Sequence, residues 1–392
     1  MDFALTEEQR KLREEVREFL ADAKAKGIYP FGTNTFLDLP SQEFSKAMSE
    51  RGLLGLAWPK EYGGQGMGYM GRLIMLEEMF LAGAPIAHHY MGDRQVGPGI
   101  IHFGSDALKE EFLPKILNGE ARFCLLFSEP DAGSDLASCR TEAVDAGDHY
   151  IVNGQKVWTT GAHQSDYGWA LVKTNPDPSI SRYNVFSEMI IDLNSPGVTI
   201  RPIINMVGFH SFNEVFFDNV KVPKKYLVGK KDNGFRQIMA NLDFERSTID
   251  RLLQNCHLKD SLIEYVKTTE RNGQPLSKDS LIRDTVAKLE VEFQVARLFI
   301  YFVTDLLDRG KLPTFEAAMG KTVATLYEAR LADVATNLMG LCGLVMPDST
   351  ETLFDGAACQ SYLWSPSYTL QGGSVEVLKN IIAIRGLKLA AK

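Results

Sequence analysis

Three stretches of this 392-residue chain hold side chains that could do chemistry. In GFRQIMANLDFERSTIDRLL, apolar residues fall at Phe235, Ile238, Leu242, Ile249 and Leu252, and Glu245 fills the one gap in that helical stripe. A carboxylate on an otherwise apolar face is costly to ionise, which raises its pKa toward the working range of a general base. The same spacing also describes a surface glutamate paired with Arg246 or with a neighbouring helix. In SEPDAGSD, the Gly133-Ser134-Asp135 run follows Ser128-Glu129-Pro130 and supplies hydroxyls and accessible backbone N–H groups. Such groups suit an electron-rich heterocycle or its phosphates. Trp158, Thr159 and Thr160 in KVWTTG add an aromatic face beside two more hydroxyls; on spacing alone these are equally two polar hairpin turns with a half-buried tryptophan. In LQGGSVEVLKNII, a Gly-Gly pair opens an amphipathic helix, a corner suited to a small anion. Gln371 and Gly372 there offer no side chain that could move a proton, so a base must come from elsewhere.

The elements that would position these residues fall into three blocks. Residues 1–120 read as helices broken by Gly-Pro stretches, beginning with a capping box at Thr6 and Gln9. Residues 121–230 change to short β-rich runs, HYIVNGQKVWTT, YGWALVKT, VFSEMIIDL, VTIRPI and NEVFFDNVKVP. Turn signals at Asn153-Gly154 and Ser195-Pro196-Gly197 are expected to separate them. Residues 231–392 return to long helices, of which EVEFQVARLFIYFVTDLLD reads as bundle core. Helices, then a β unit, then helices is an α+β arrangement.

Bulk properties narrow the function. A net charge of −8 without a basic stripe argues against nucleic acid as the main partner, and the apolar runs are too short for a bilayer. Five scattered cysteines without a CxxC fit reduced structural thiols. No HxxxH, HExxH or acidic cluster suggests a metal, and His88 and His89 read as structural. No strand leads into a GxGxxG or P-loop motif, and no leader pattern opens the chain, so the expected location is cytoplasmic.

WPKEYGGQG, GSDALKEEFLPKILNGEARF, SEPDAGSD, NGQKVWTTGA, EVFFDNVKVPKKYLVG and GGSVEVLKNIIA, in that order, resemble the motifs of the acyl-CoA dehydrogenase family over most of the chain. The resemblance implies an acyl-CoA dehydrogenase-like fold: an N-terminal helical domain, a middle β domain and a C-terminal four-helix bundle. It implies FAD held between domains and subunits, and desaturation of an acyl-CoA thioester by proton abstraction and hydride transfer to flavin N5. Carried over by position, Phe127 and Ser128 would contact the flavin ring, and Ser134, after Gly133, would serve the pyrophosphate and border the substrate. Trp158 would pack on the ring and Thr160 would hydrogen-bond near N5. Ser374 and Glu376 would touch the cofactor.

Many family members place the base at the position of Gly372; here that residue keeps only its backbone N–H, a donor to the thioester carbonyl. LDFER resembles the isovaleryl- and long-chain-type enzymes whose base lies on the internal helix. Glu245 is then the base, with Asp243 on the pantetheine arm and Arg246 beside the site. Two segments depart from the family. TERNGQPL has Thr269 and Asn272 where an arginine and a phenylalanine usually grip a neighbour's FAD, and NLMGLCG keeps Asn337, Gly340 and Gly343 in kind but has Leu341 in place of a glycine. The departures resemble bacterial members acting on bulky or ring-bearing acyl-CoAs, some of them heteromeric. The expected partners are an acyl-CoA, an electron-transferring flavoprotein, and further subunits in a homotetramer or a heterotetramer with a related chain. An acyl-CoA oxidase and a non-catalytic partner subunit are the competing readings; the retained SEPDAGSD and LDFER argue against the latter.

Overall fold

A computed structural model describes residues 3–32, 39–245, 249–347 and 349–389, with 241–245 as backbone only. Two compact units divide the chain, one of Glu14–Arg72 with Ala84–Glu245 and one of Met1–Arg13, Leu73–Gly83 and Arg246–Lys392.

The N-terminal helices are α1 (Glu7–Ala25), α2 (Gln42–Glu50), α3 (Gly68–Leu81), α4 (Gly97–Phe103) and α5 (Asp106–Leu117). The expected capping box forms: Gln9 N–H donates to Thr6 Oγ1 at 3.2 Å and Thr6 N–H to Gln9 Oε1 at 3.0 Å. WPKEYGGQG is a loop wrapped around the buried Trp58, whose Nε1 donates to the Asp93 carbonyl at 2.9 Å. The Asp93 carboxylate accepts from Gly55 N at 2.7 Å and Arg72 Nε at 3.1 Å, so one buried acid fixes the loop to a single π-helical turn, Gly92–Val96. His88 and His89 are structural as expected. His88 Nε2 pairs with the Gly119 carbonyl at 3.0 Å and His89 Nδ1 with Ser45 Oγ at 2.8 Å. Burial pushes the His89 pKa down to about 3, so this imidazole stays neutral.

The middle of the chain folds as one eight-stranded sheet: β1 (Phe123–Leu126), β2 (Glu142–Asp145), β3 (His149–Lys156), β4 (Tyr167–Lys173), β5 (Phe186–Asp192), β6 (Val198–Ile203), β7 (Phe212–Pro223) and β8 (Leu227–Val228). The strand order is β6-β7-β3-β2-β4-β5-β8, and β1 adds parallel to β4. Each of the five runs expected from sequence contains a strand. β1, β2 and β8 are too short to show an alternation and do not stand out in the sequence. The turn expected at Asn153-Gly154 is corrected: both residues lie inside β3, where the register against β7 shifts between Val152 and Gly154. Gly154 has φ +143°, and a Cβ there would stand 2.6 Å from Thr141 Oγ1. The pair makes a bulge rather than a hairpin because the partner backbone needs that space. The turn at Ser195-Pro196-Gly197 forms, with Gly197 at φ +91°.

The chain then enters α6 (Gly234–Glu245), which completes the sheet unit. In the other unit α7 (Cys256–Thr268), α8 (Ser280–Asp308), α9 (Thr314–Met339), α10 (Ala357–Leu370) and α11 (Val375–Ile381) pack as helices, with α9 against α8, α10 and α11. As expected, EVEFQVARLFIYFVTDLLD lies in α8 and buries Phe293, Ala296, Ile300 and Val303. All five cysteines are free thiols.

Gly154→Ala is expected to lower stability by about 1–3 kcal/mol, the range for a residue forced into a sparsely populated conformation. Urea unfolding of the purified protein measures it, and an unchanged midpoint would contradict the bulge as the reason for this glycine.

Candidate active site

Two loops of the sheet unit bring the expected flavin residues together. Phe127, Ser128, Gly133 and Ser134 follow β1, whereas Trp158 and Thr160 follow β3. Val157 N–H donates to the Ser128 carbonyl at 2.9 Å, which holds the loops side by side. Beneath them lies an ion pair that the sequence reading missed. Lys156, fully buried at the end of β3, donates from Nζ to Glu129 Oε1 at 2.8 Å and to the Phe127 carbonyl at 3.0 Å. The same carboxylate accepts from Arg140 N at 2.6 Å and Thr141 N at 2.9 Å. Burial works to raise the Glu129 pKa, but the Lys156 charge and these donors hold it below the usual carboxylate value. A signal was present, since Lys156 falls on the inward phase set by Tyr150 and Val152, and a lysine there needs a buried acceptor.

Over that pair the chain makes a tight turn, Glu129 N–H to the Ala132 carbonyl at 2.9 Å and Ala132 N–H to the Glu129 carbonyl at 3.0 Å. Gly133 and Ser134 stand exposed beyond it, and a Cβ on Gly133 would meet open space. Asp135 is held by Arg182, with Nη2 to Oδ1 at 2.5 Å. Trp158 has φ +59°, an uncommon backbone for an aromatic residue, and its side chain is 60% exposed, edge-on to Phe212 at 6.1 Å between ring centroids. Thr159 is pinned by Asn213, and its buried Oγ1 finds no hydrogen-bond partner among the described residues. Thr160 beside it is half-buried.

The glutamate expected to act as base ends α6. Ile238 is buried against Leu171 and Phe186, and Phe235 packs on the same cluster, so the start of the apolar stripe faces the sheet as expected. The stripe's continuation passes through residues 246–248, which lie outside the described residues. Ile249–Arg251 wind as a 3₁₀ turn, whose period of three residues does not continue the α-helical spacing. The side chains of Asp243 and Glu245, and the whole of Arg246, lie outside the described residues.

In the bundle unit, α10 runs into Gln371, Gly372 and Gly373, the two glycines at φ +65° and +95°. Lys321 on α9 donates from its buried Nζ to the Gly373 carbonyl at 2.5 Å and pins this corner. Ser374 caps α11 by accepting from Val377 N at 3.4 Å, and Glu376 is exposed in the first turn. Asn337 and Gly340 stand at the far end of α9, roughly 24 Å along the helix from Lys321 at 1.5 Å per residue, so a single chain does not bring them to Ser374 and Glu376. Asn337 Nδ2 turns back to the Asp333 carbonyl at 2.8 Å, and Leu341 is 84% exposed. TERNGQPL forms a hairpin of Glu270–Arg271 with Gln274–Pro275, turned at Asn272 (φ +54°) and Gly273 (φ +75°). Asparagine is one of the few residues that accept that backbone, which accounts for Asn272 where the family has a phenylalanine. Among the described residues no group of His, Cys, Asp and Glu could hold a metal, and no helix is long and apolar enough to cross a membrane.

Family models for the acyl-CoA dehydrogenase N-terminal, middle and C-terminal domains match residues 6–120, 124–220 and 232–387. Acyl-CoA dehydrogenase FadE29 of Mycobacterium tuberculosis is 33% identical over 98% of this chain and 98% of its own. The chain belongs to the acyl-CoA dehydrogenase family. Among solved structures, the Tcur3481-Tcur3483 steroid ACAD superposes with a TM-score of 0.86 at 27% identity over all of both chains. The ChsE4-ChsE5 complex from Mycobacterium tuberculosis gives a TM-score of 0.87 at 28% identity, again over all of both chains. Acyl-CoA dehydrogenases are FAD oxidoreductases, and the residues here fit that cofactor: an exposed tryptophan face, an unpaired buried hydroxyl at Thr159 and an uncrowded Gly133–Ser134 turn.

Lys156→Met is expected to cost about 3–5 kcal/mol, since it strands a buried carboxylate, and to release FAD. Because the Glu129 pKa is lowered, the pair's stabilisation is present above the unfolded value of about 4.3 and is lost as pH falls through the lowered one. Denaturant unfolding at pH 7 and at pH 4 measures both effects. A variant as stable as wild type, or a loss of equal size at both pH values, would contradict the role given to the pair.

Proposed function

We propose that this acyl-CoA dehydrogenase desaturates a branched, cyclic or otherwise bulky acyl-CoA, with Glu245 as the base. The observation that carries the base assignment is the backbone at Gly372. Its φ of +65° is a left-handed conformation that a glutamate would occupy only under strain, so this corner is built for a glycine. What the corner retains is its N–H, which we assign as a donor to the thioester carbonyl, with Lys321 holding the adjoining peptide through the Gly373 carbonyl. Polarising that carbonyl acidifies the α-carbon, and Glu245 takes the proton. FAD, when bound, supplies the acceptor for the β-hydrogen as hydride.

Phe127, Ser128, Trp158 and Thr160 would hold the flavin ring, and Gly133 and Ser134 its pyrophosphate. Ser374 and Glu376 would touch the cofactor. Ser134 would also border the acyl-CoA, Asp243 would hold its pantetheine arm, and Arg246 would stand beside the thioester. Asn337 and Gly340, far along α9 from the Gly-Gly corner, would serve the FAD of a neighbouring subunit. The absence of a side chain at Gly372 leaves room near the α-carbon, and the likeness to a steroid ACAD agrees with a bulky acyl group.

An electron-transferring flavoprotein would take up the electrons, and the location would be cytoplasmic. The chain would assemble as a homotetramer or as a heterotetramer with a related chain. The heteromeric arrangement is favoured by Leu341, exposed where the family has a glycine, and by the likeness to the ChsE4-ChsE5 complex.

The protein, purified with any related chain it assembles with, should be yellow and should bleach with acyl-CoA under anaerobic conditions. Glu245→Gln should keep the flavin and lose the bleaching; turnover near wild type would remove Glu245 as the base. Across a substrate panel, branched or ring-bearing acyl-CoAs should react faster than straight medium chains, and reaction with straight medium chains alone would contradict the bulky pocket.

A further inference from the structure

Glu188 on β5 is fully buried, no ion pair to it is found among the described residues, and the flavin and thioester roles above make no use of it. Its Oε1 accepts from Trp169 Nε1 at 2.7 Å and its Oε2 from Gln237 Nε2 at 2.8 Å. Burial pushes the carboxyl up to about 7, against the pull of those two donors. A well-packed apolar residue would cost less at such a place, so stability alone does not account for an acid there. What the acid provides is direction: two short hydrogen bonds at fixed angles, one to the sheet and one to a helix.

The helix is α6, and the surrounding structure holds its start at every side. Gln237 Nε2 also donates to the Val228 carbonyl at 3.1 Å, while its Oε1 accepts from Lys230 N at 3.4 Å. A Cβ on Gly229 would stand 2.4 Å from that same Oε1, and one on Gly234 would stand 2.6 Å from the Ser187 carbonyl carbon. Just before the helix, Asp232 donates its N–H to Ser187 Oγ at 2.8 Å and accepts from Thr174 Oγ1 at 2.6 Å and Asn175 Nδ2 at 3.2 Å. The first turns of α6 thus sit on β5 in one register, with Glu188 as the buried anchor. Eight residues on, about 12 Å along the helix axis, the same rigid element ends at Glu245.

We propose that the Glu188–Gln237 hydrogen bond is a positioning device that sets where the base at the far end of α6 stands. The inference rests on the reading of Glu245 as base. A small rotation of α6 about its anchored end would move that carboxyl relative to the α-carbon, and a displacement of about 1 Å can cost on the order of 10²-fold in rate.

The test measures the rate of flavin reduction per bound FAD at saturating acyl-CoA, together with KM, FAD content and melting temperature. The proteins compared are Gln237→Met, Glu188→Gln and the exchange Glu188→Gln with Gln237→Glu, with Glu245→Gln in parallel. The exchange restores a carboxylate–amide pair with donor and acceptor reversed, and the amide oxygen it places on β5 still accepts from Trp169, but the carboxylate it places on α6 cannot donate to the Val228 carbonyl as Gln237 does. Gln237→Met, nearly equal in volume, should keep its FAD and lose roughly 10²-fold in reduction rate with KM changed less than about threefold, and the exchange, which remakes the bond to residue 188 but not the one to Val228, should recover part of that rate. A lower melting temperature with an unchanged rate per bound FAD would overturn the positioning role and leave Glu188 a packing residue. Glu245→Gln that still bleaches would instead overturn the base assignment, and with it the purpose of the anchor.

Discussion

A carboxylate can be taken out of water only if donors are waiting for it, and the sheet unit is organised around meeting that condition. Asp93 is met by Gly55 N and Arg72, Glu129 by Lys156 and two backbone N–H groups, and Glu188 by Trp169 and Gln237. Each acid joins segments far apart in sequence, so each restrains a loop or helix that hydrophobic contact alone would leave free to slide. The Trp58 loop, the loops that follow β1 and β3, and α6 are all fixed in this way. Directional polar bonds in the core therefore decide where the exposed chemistry stands.

Much of the architecture was legible because hydrophobic period and turn chemistry are local. The capping box at Thr6, the five main strands and the apolar face of α8 follow from neighbours within a few residues. The errors have long-range causes. Asn153-Gly154 has a hairpin's composition but sits opposite Thr141, whose backbone requires a glycine there. The stripe from Phe235 to Leu252 runs through residues outside the described ones, and sequence spacing does not show that Ile249–Arg251 beyond them wind as a 3₁₀ turn. Of the candidate site, the exposed polar residues could be named from family motifs and Lys156 carried a signal in the phase of β3, whereas the roles of Glu129, Glu188 and Gln237 became visible only when their partners were known.

The Gly-Gly corner illustrates how backbone conformation divides labour in the site. At φ +65° Gly372 offers a peptide N–H rather than a side chain, and Lys321 beneath it holds the adjoining carbonyl. A corner built so can polarise a thioester but cannot take its proton. Under the proposed mechanism proton removal falls to Glu245 at the end of α6, a helix held at its start by Gln237 and Asp232.

Proton abstraction by Glu245 is tested most directly apart from the redox step. An acyl-CoA that has no β-hydrogen can lose its α-proton but cannot be oxidised. Incubated in D2O with the FAD-loaded protein, it should gain α-deuterium, followed by mass spectrometry. The wild type should exchange, and Glu245→Gln with its full complement of FAD should not. Exchange in that variant at the wild-type rate would contradict the account.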